Sequence, residues 1–253
     1  MVKFRTSNEN NKRILPEGSV CRIPLTQEER EELVEQEKPE APRMADITWR
    51  IFRIMAEFVE GFQFLSTLSR EVTVFGSARM PPSNKWYQEA TKLGRLLAEN
   101  GFTVVTGGGP GVMEAANKGA IEANGLSVGL NIQLPREQRI NPFVNKSRAF
   151  HYFFTRKVIL AASAQAYIYF PGGFGTMDEL FEILTLVQTK KSEPLPIVLV
   201  GKEYWDGLFQ WIEGTMFGQF DAIDRNDMDI FQIVDTADEA FELIRESKER
   251  TFF

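Results

Sequence analysis

Cysteine and histidine, which most often build metal sites and nucleophilic catalysts, are almost missing from this sequence. It contains one cysteine, Cys21, and one histidine, His151. An internal disulfide is therefore excluded, and a zinc site made of Cys and His ligands lacks the residues that it needs. A Ser-His-Asp or Cys-His triad would have to use His151 alone. We therefore expect a chemistry of carboxylates, arginine, lysine, hydroxyls and backbone groups, without a metal or another cofactor.

Long apolar runs and an excess of positive charge are missing as well. The N-terminal residues MVKFRTSNENNKRIL have no apolar signal core, and no segment approaches the length that spans a bilayer. The chain carries 29 Lys and Arg against 35 Asp and Glu, which gives a formal net charge of −6 and no reason to expect non-specific nucleic-acid binding. These absences predict a soluble cytoplasmic protein without a membrane or nucleic-acid partner.

The 253 residues divide by composition into three parts. Residues 1–45 are predicted to be a charged, flexible arm, because the stretch 26–42 (TQEEREELVEQEKPEAP) has too few large apolar side chains to bury much surface. Residues 46–70 are predicted to form an apolar helix with Asp46 as its N-cap. Such a helix packs on the main domain or joins an oligomer interface, and the two roles are compatible.

Residues 71–253 alternate between strand-like and helix-like segments. The apolar runs that predict strands are 72–75, 102–105, 126–130, 166–170, 195–200 and 230–234. The segments that predict helices are 86–98, 112–123, 154–163, one ending near 188, 204–216 and 239–246. No strand is predicted between residues 131 and 153. Apolar strands alternating with helices indicate a parallel sheet covered on both faces, so we predict a doubly wound, Rossmann-like α/β fold with a helical N-terminal extension.

Two glycine-rich loops lie where a predicted strand leads into a helix: residues 107–116 (GGGPGVMEAA) and 171–180 (PGGFGTMDEL). Glycines let backbone N–H groups approach a phosphate, and the helix N-terminus adds the positive end of its dipole. Neither loop is a Walker A or a G-x-G-x-x-G sequence, which disfavours an ATPase and a standard NAD enzyme. The glycines can also simply make tight turns, but two such loops in one sheet favour phosphate binding.

Acidic residues follow the glycines within both segments, and we expect them in the first turn of each helix. They are Glu114 in the first segment, and Asp178 and Glu179 in the second. A carboxylate beside a bound phosphate is repelled by it, so we expect Glu179 to point past the phosphate toward whatever is attached to it. A sugar is the obvious candidate.

The segments 155–157 (TRK) and 171–179 (PGGFGTMDE) resemble the LONELY GUY (LOG) family, a family of cytokinin riboside 5′-monophosphate phosphoribohydrolases with a Rossmann-like fold. The resemblance covers about residues 71–216. Bacterial members have often carried the label lysine decarboxylase, but the glycine loops suit a nucleotide rather than pyridoxal phosphate. The sequence FFT at 153–155 and the extra N-terminal arm and helix are similar to an extended bacterial branch of the family.

The resemblance implies that Arg156 and Glu179 are the catalytic pair and that Gly173, Gly175 and Thr176 hold the 5′-phosphate. The further substrate-binding candidates are Gly109, Glu137, Phe153, Lys157, Gly172 and Thr185. The implied reaction is hydrolysis of the N-glycosidic bond of a nucleoside 5′-monophosphate, AMP or a cytokinin riboside 5′-monophosphate, to free base and ribose 5-phosphate. The family assembles as dimers or larger rings, which implies a homo-oligomer.

Several roles and several functions stay open at this point. Ionised Glu179 can stabilise oxocarbenium charge, bind ribose hydroxyls or activate water, while Arg156 can hold Glu179 and the phosphate in register. His151 lies in an aromatic-rich run and is interpreted as packed rather than as a general acid. The main alternative is a non-catalytic nucleotide-binding or sensing module. A structural oligomer and a nucleotide phosphatase are further alternatives.

Overall fold

The computed structural model describes residues 44–133 and 140–249. The chain separates into two compact units, residues 1–48 and 49–253. In the first unit the described residues are 44–48, which begin helix α1 (Met44–Leu65). The predicted N-terminal helix is therefore present, but it ends at Leu65 rather than at residue 70. Because it begins at Met44, Asp46 lies in its first turn and not at the N-cap position that the sequence predicts. The predicted arm lies almost entirely outside the described residues.

A seven-stranded parallel sheet forms the centre of the second unit. Its strands are β1 (Glu71–Phe75), β2 (Thr103–Thr106), β3 (Ser127–Ile132), β4 (Lys146–Phe150), β5 (Ala166–Tyr169), β6 (Ile197–Val200) and β7 (Gln232–Val234). Their spatial order is β4-β3-β2-β1-β5-β6-β7. The chain thus builds outward from β1 to β4 and then returns to the other side of β1, so the topological switch point lies between β1 and β5.

Helices connect the strands. They are α2 (Lys85–Glu99), α3 (Val112–Glu122), α4 (Phe153–Ala162), α5 (Phe174–Gln188), α6 (Lys202–Trp211) and α7 (Ala237–Ile244), with a π-helical turn (Ile212–Phe217) and a 3₁₀ turn (Arg225–Asp229) between α6 and β7. Side-chain caps start two of them: Asn84 accepts the N–H of Trp86 at 2.8 Å before α2, and Thr236 forms a capping box with Glu239 at α7. Within residues 44–133 and 140–249, no helix is both long and apolar enough to cross a membrane.

Apolar side chains are buried on both faces of the sheet. In β5, Ala166 and Ile168 lie in a cluster with residues of α2, α3 and α7. On the opposite face, Tyr167 and Tyr169 lie in a cluster with residues of α4, α5 and α6. Successive side chains of a strand point to opposite faces, so one continuous apolar strand contributes to both clusters. This arrangement confirms the predicted doubly wound α/β fold.

Strand β4 has no counterpart among the predicted strands, whereas the other six do. It pairs with β3 at the edge of the sheet, and its sequence KSRAF alternates between partly buried and exposed residues until Phe150, which is fully buried. An edge strand with one covered face needs no continuous apolar run. Hydrophobicity alone therefore does not reveal it.

Candidate functional site

A cleft of about 750 Å³ opens at the carboxyl edge of the sheet, beside the switch point between β1 and β5. Its wall combines the loop after β1 (residues 76–79), Gly107 after β2, the start of α4 and the start of α5. The loops that follow β1 and β5 are joined directly, because the N–H of Ser77 donates to the carbonyl of Pro171 at 3.0 Å. The parallel topology therefore gathers distant segments of the chain around one cleft.

Arg156 lies on the first turns of α4 and lines the cleft. Its Nε donates to the carbonyl oxygen of Leu130 at 2.8 Å, which fixes the direction of the side chain. Gly107 makes room for the guanidinium, since a Cβ at that position would lie 2.5 Å from Nη2 of Arg156. Burial lowers the pKa of Arg156 and the charge of Glu179 opposes that shift, but a guanidinium stays cationic at neutral pH.

Glu179 lines the same cleft from helix α5. The pKa of this carboxyl is raised to about 7, mainly by burial. The neighbouring Glu182 and Asp178 add to the rise, while Lys157 and Arg156 oppose it. A carboxyl group with a pKa near neutrality exchanges protons at working pH, which is a property of catalytic acids and bases. The geometry therefore brings the two residues of the predicted catalytic pair into one cleft. The carboxyl of Glu179 gains and loses its proton near neutral pH.

Lys157 balances the acidic side chains of α5. Its Nζ lies 2.6 Å from Oδ2 of Asp178 and 3.2 Å from Oε2 of Glu182. Burial lowers the pKa of Lys157, but the carboxylates of Asp178, Glu179 and Glu182 outweigh burial and raise it overall. Lys157 is thus a fixed cation that faces the acids beside the cleft.

The predicted location of two acids is wrong by one turn. Helix α5 begins at Phe174, so Asp178 and Glu179 lie in its second turn and the first turn contains no acidic residue. The helix begins earlier than predicted because Gly173 already serves as its N-cap residue, without a side-chain cap. The positive end of the dipole is therefore not occupied by a first-turn carboxylate, which suits a bound anion.

Two glycines keep the start of α5 open. A Cβ built on Gly173 or on Gly175 would meet no atom within 4 Å, although both residues line the cleft. The backbone of Gly173 is extended (φ −99°), so its conformation does not require glycine. By contrast, a Cβ on Gly172 would lie 2.1 Å from Oγ1 of the buried Thr176. Side chains at 173 or 175 would instead project into the open space of the cleft.

Aromatic side chains stand at the mouth of the cleft. Phe153 and Phe154 of α4 are 62% and 46% exposed, and Phe174 of α5 is 95% exposed. All three line the cleft. Such rings offer flat apolar faces to a nucleobase.

Three further substrate-binding candidates, Gly109, Thr185 and Gly172, do not line this cleft. Gly109 is buried, and its carbonyl accepts the Nδ2 of Asn141 at 3.1 Å. Thr185 is exposed on α5, where its hydroxyl donates to the carbonyl of Phe181 at 2.6 Å. Gly172 lines a neighbouring shallow pocket, whereas Glu137 lies outside the described residues.

His151 is not a packed core residue, contrary to the interpretation from its aromatic neighbours. It is exposed, and its ring meets that of Tyr152 edge to face with centroids 4.8 Å apart. It does not line the cleft either.

Sequence reasoning missed several residues of the cleft wall. Ser77 and Arg79 follow the first strand, and Gly107 precedes the glycine that was proposed in the first loop. The rule that ligands bind at the carboxyl ends of parallel strands supplies a signal for Ser77 and Arg79, since β1 is the central strand. Gly107 opens the first glycine loop, which the sequence does mark, but only the folded chain shows that this glycine rather than Gly109 lines the cleft beside Arg156.

A protein-family model described as "Possible lysine decarboxylase" matches residues 113–244, more than half of the chain. A curated relative from Oryza sativa subsp. japonica, named probable cytokinin riboside 5′-monophosphate phosphoribohydrolase LOGL5, is 32% identical over 155 residues. The match covers 60% of this chain and 62% of the rice protein, so it spans less than two thirds of that relative.

Two solved structures share the fold. The X-ray structure of TM1055, a structural genomics target, has a TM-score of 0.52 at 25% identity and covers 68% of this chain and 96% of that chain. The molybdenum cofactor carrier protein from Chlamydomonas reinhardtii has a TM-score of 0.51 at 24% identity and covers 68% of this chain and 93% of that chain. The second likeness concerns the fold alone.

Proposed function

The chain belongs to the LONELY GUY family, and we propose that it hydrolyses the N-glycosidic bond of a nucleoside 5′-monophosphate. The substrate is AMP or a cytokinin riboside 5′-monophosphate, and the products are free base and ribose 5-phosphate. One observation carries the proposal: Arg156 and Glu179 line one cleft beside a helix N-terminus that Gly173 and Gly175 keep open.

The start of α5 supports the orientation of the substrate. The 5′-phosphate binds at the uncapped helix N-terminus, where backbone N–H groups and the dipole favour an anion. Glu179 lies in the second turn of the same helix, so it faces the ribose rather than the phosphate. The base then extends toward Phe153 and Phe154 at the mouth of the cleft.

The chemistry follows from the two charged side chains. The bond between C1′ and the base nitrogen breaks, its electron pair leaves with the base, and positive charge develops on the ribose. Ionised Glu179 stabilises that charge and takes a proton from the water whose oxygen attacks C1′. The departing base takes up a proton from solvent at the released nitrogen, and Glu179 returns its own proton to solvent, so the products are neutral base and ribose 5-phosphate. Arg156 stays cationic, holds Glu179 in register and favours electron density on the departing base.

The description "lysine decarboxylase" fits the cleft less well. Lys157 is the lysine among the described lining residues. A Schiff-base lysine needs a lowered pKa so that its amine is free to react. The carboxylates around Lys157 raise its pKa instead, despite its burial.

The proposed assembly is a homo-oligomer. Trp49, Phe52, Met55 and Val59 form an apolar stripe at helical spacing on α1, and each is more than half exposed. Burial of such a stripe against a second copy removes apolar surface from water. Light scattering after size exclusion tests this expectation, and a monomeric mass would contradict it.

The test of the function is base release. Purified protein is incubated with AMP, GMP, CMP, UMP and isopentenyl-AMP, and free base is separated by chromatography. Release by the wild type supports the proposal, and Glu179→Gln is expected to lower it by about 10²- to 10⁴-fold, as for loss of an acid or base catalyst. The matched control is Glu114→Gln, since Glu114 follows the first loop but hydrogen-bonds the Tyr87 hydroxyl at 3.0 Å.

Other outcomes separate the alternatives. Tight AMP binding without release of base from any nucleotide favours a sensing module and contradicts the proposal. Release of inorganic phosphate with intact nucleoside indicates a phosphatase. A protein that neither binds nor turns over any of the nucleotides is better described as a structural oligomer.

A further inference from the structure

Helix α1 contributes a buried carboxylate to the start of helix α4. Glu57 is only 9% exposed, and its carboxylate accepts three hydrogen bonds from that segment. The donors are the N–H of His151 at 2.7 Å, the N–H of Tyr152 at 3.3 Å and the hydroxyl of Thr155 at 2.5 Å. A charged group from a segment almost one hundred residues earlier thus binds the turn that precedes Arg156.

These contacts anchor the chain at the point where it enters helix α4. The N-cap residue of the helix is Tyr152, whose side chain makes no capping hydrogen bond. Glu57 accepts the N–H of Tyr152 and that of His151 before it, so it holds the entry to the helix rather than the N–H groups of the first turn. In a capping box the N-cap N–H is likewise accepted by a glutamate or glutamine, but that residue lies three positions later in the same helix. A carboxylate near a helix N-terminus is also stabilised by the dipole.

The position of Glu57 is fixed by close packing of α1 on the sheet and on α4. Gly61, one turn later, allows the approach, since a Cβ there would lie 2.7 Å from Cγ1 of Ile159 and 3.2 Å from Phe150. Glu60 of the same helix pairs with Arg148 of β4 through partly exposed side chains, so this ion pair contributes little to the seating of the helix. The carboxylate of Glu57 is thus a buried acceptor on a closely packed helix, not the end of an exposed surface side chain.

We propose that Glu57 is a positioning residue for Arg156, an inference that rests on the proposed function. Thr155 donates to Glu57 and directly precedes Arg156 in the chain. Loss of the hydrogen bonds to Glu57 would therefore free the turn whose backbone carries the Arg156 side chain. The guanidinium has little tolerance for such movement, because it reaches Leu130 through a 2.8 Å hydrogen bond and passes Gly107 closely. The apolar N-terminal helix therefore serves the active site as well as the fold.

The test compares Glu57→Ala and Glu57→Gln with Glu60→Gln, a matched control on the same helix. We expect Glu57→Ala to lower kcat for base release by roughly 10- to 100-fold with KM for AMP changed less than threefold. Glu57→Gln retains one acceptor oxygen and is expected to recover part of the loss, to roughly three- to tenfold below wild type. Glu60→Gln is expected to stay within twofold, and thermal unfolding reports how much of each variant is folded.

A second readout distinguishes positioning from simple support of the fold. Arg156 and Lys157 of α4 lower the pKa of Glu179, whereas Glu182 and Asp178 of α5 raise it. Tyr169 of β5 also faces Glu179, and its hydroxyl donates to the backbone carbonyl of Glu179. When Arg156 moves away, the acid limb of the kcat profile shifts to higher pH in Glu57→Ala. An unmoved limb, with kcat falling only as the folded fraction falls, would overturn the proposal.

The outcomes also separate this inference from the proposed function. If Glu57→Ala is as active as the wild type and Glu60→Gln, the positioning role is refuted, but the proposed hydrolase activity stands. If the wild type releases no base from any nucleotide, the hydrolase is refuted and the positioning role falls with it. Should Glu57→Ala not fold, Glu57→Gln carries the same comparison of kcat, KM and pH limb.

Discussion

The two glycine loops look alike in sequence but use their glycines for different purposes. In the first loop, Gly108 and Gly111 have φ values of +69° and +71°, and a Cβ on Gly111 would lie 2.3 Å from the carbonyl oxygen of Ser77. In the second loop, Gly173 and Gly175 have no positive φ and face open space. Gly108 and Gly111 of the first loop are required by the backbone, whereas Gly173 and Gly175 of the second loop leave open the space in which we propose that the ligand binds.

The hydrogen bonds of the first loop reinforce this difference. The N–H of Gly108 donates to the hydroxyl of Thr106 at 2.9 Å, and its carbonyl accepts the N–H of Asn141 at the same distance. Asn141 also bonds the carbonyl of Gly109. The first loop is therefore a buried, hydrogen-bonded support that holds Gly107 beside Arg156, and the second is the proposed binding surface.

The largest expected effect is on the stability of the first loop. Gly111→Ala forces a side chain into a left-handed conformation and against backbone, which we expect to lower the free energy of unfolding by roughly 2–4 kcal/mol. Urea unfolding measures the change. A stability equal to that of the wild type would show that the loop is pliable and would remove the distinction between the two loops.

The second loop is expected to carry a stability cost through Glu179. Its pKa is raised from 4.5 to about 7 by burial, so the folded state resists ionisation while the unfolded state ionises freely above 4.5. Glu179→Gln is therefore expected to be more stable than the wild type above pH 7, by up to about 3 kcal/mol, with the gain shrinking between pH 7 and 4.5 and absent below. Chemical denaturation at pH 4, 6 and 8 tests this window, and a gain independent of pH would contradict it.

The same titration is expected in the activity. If catalysis needs ionised Glu179, kcat/KM for AMP rises with pH and levels above about 7, with about a tenfold fall between pH 8 and pH 6. A profile that falls as pH rises through 7 would assign the protonated form of Glu179 to the reaction instead.

The smallest expected effect separates ligand from fold. Gly175→Ala places a methyl group in open space, so its free energy of unfolding is expected to stay within about 0.5 kcal/mol of the wild type. The KM for AMP is expected to rise roughly three- to tenfold, because the methyl group competes with the phosphate, and kcat changes less. An unchanged KM would remove the functional reading of this glycine.

The sequence predicts the strand-and-helix alternation because it depends on local pattern, whereas the pair Arg156 and Glu179 is implied by the resemblance to the LONELY GUY family. Apolar runs mark the buried strands, and the segments TRK and PGGFGTMDE mark the two helix starts. Parallel topology then brings these helix starts together at one sheet edge.

Other features depend on contacts that no local pattern encodes. Edge strand β4 is too polar to be recognised as a strand, and the buried partner of Glu57 lies almost one hundred residues away. The glycine composition of the two loops does not reveal which glycines have a positive φ and which face a cleft. For this reason the sequence points to Gly109 as the binding residue of the first loop, whereas in the structure Gly107 lines the cleft and Gly109 does not.

The most direct test of the account is the product balance of AMP turnover by the wild-type protein. Adenine, ribose 5-phosphate, adenosine and inorganic phosphate are quantified in the same reaction. The account predicts adenine and ribose 5-phosphate in equal amounts, with neither adenosine nor inorganic phosphate formed. Adenosine with inorganic phosphate, or AMP that is bound and recovered unchanged, would contradict it.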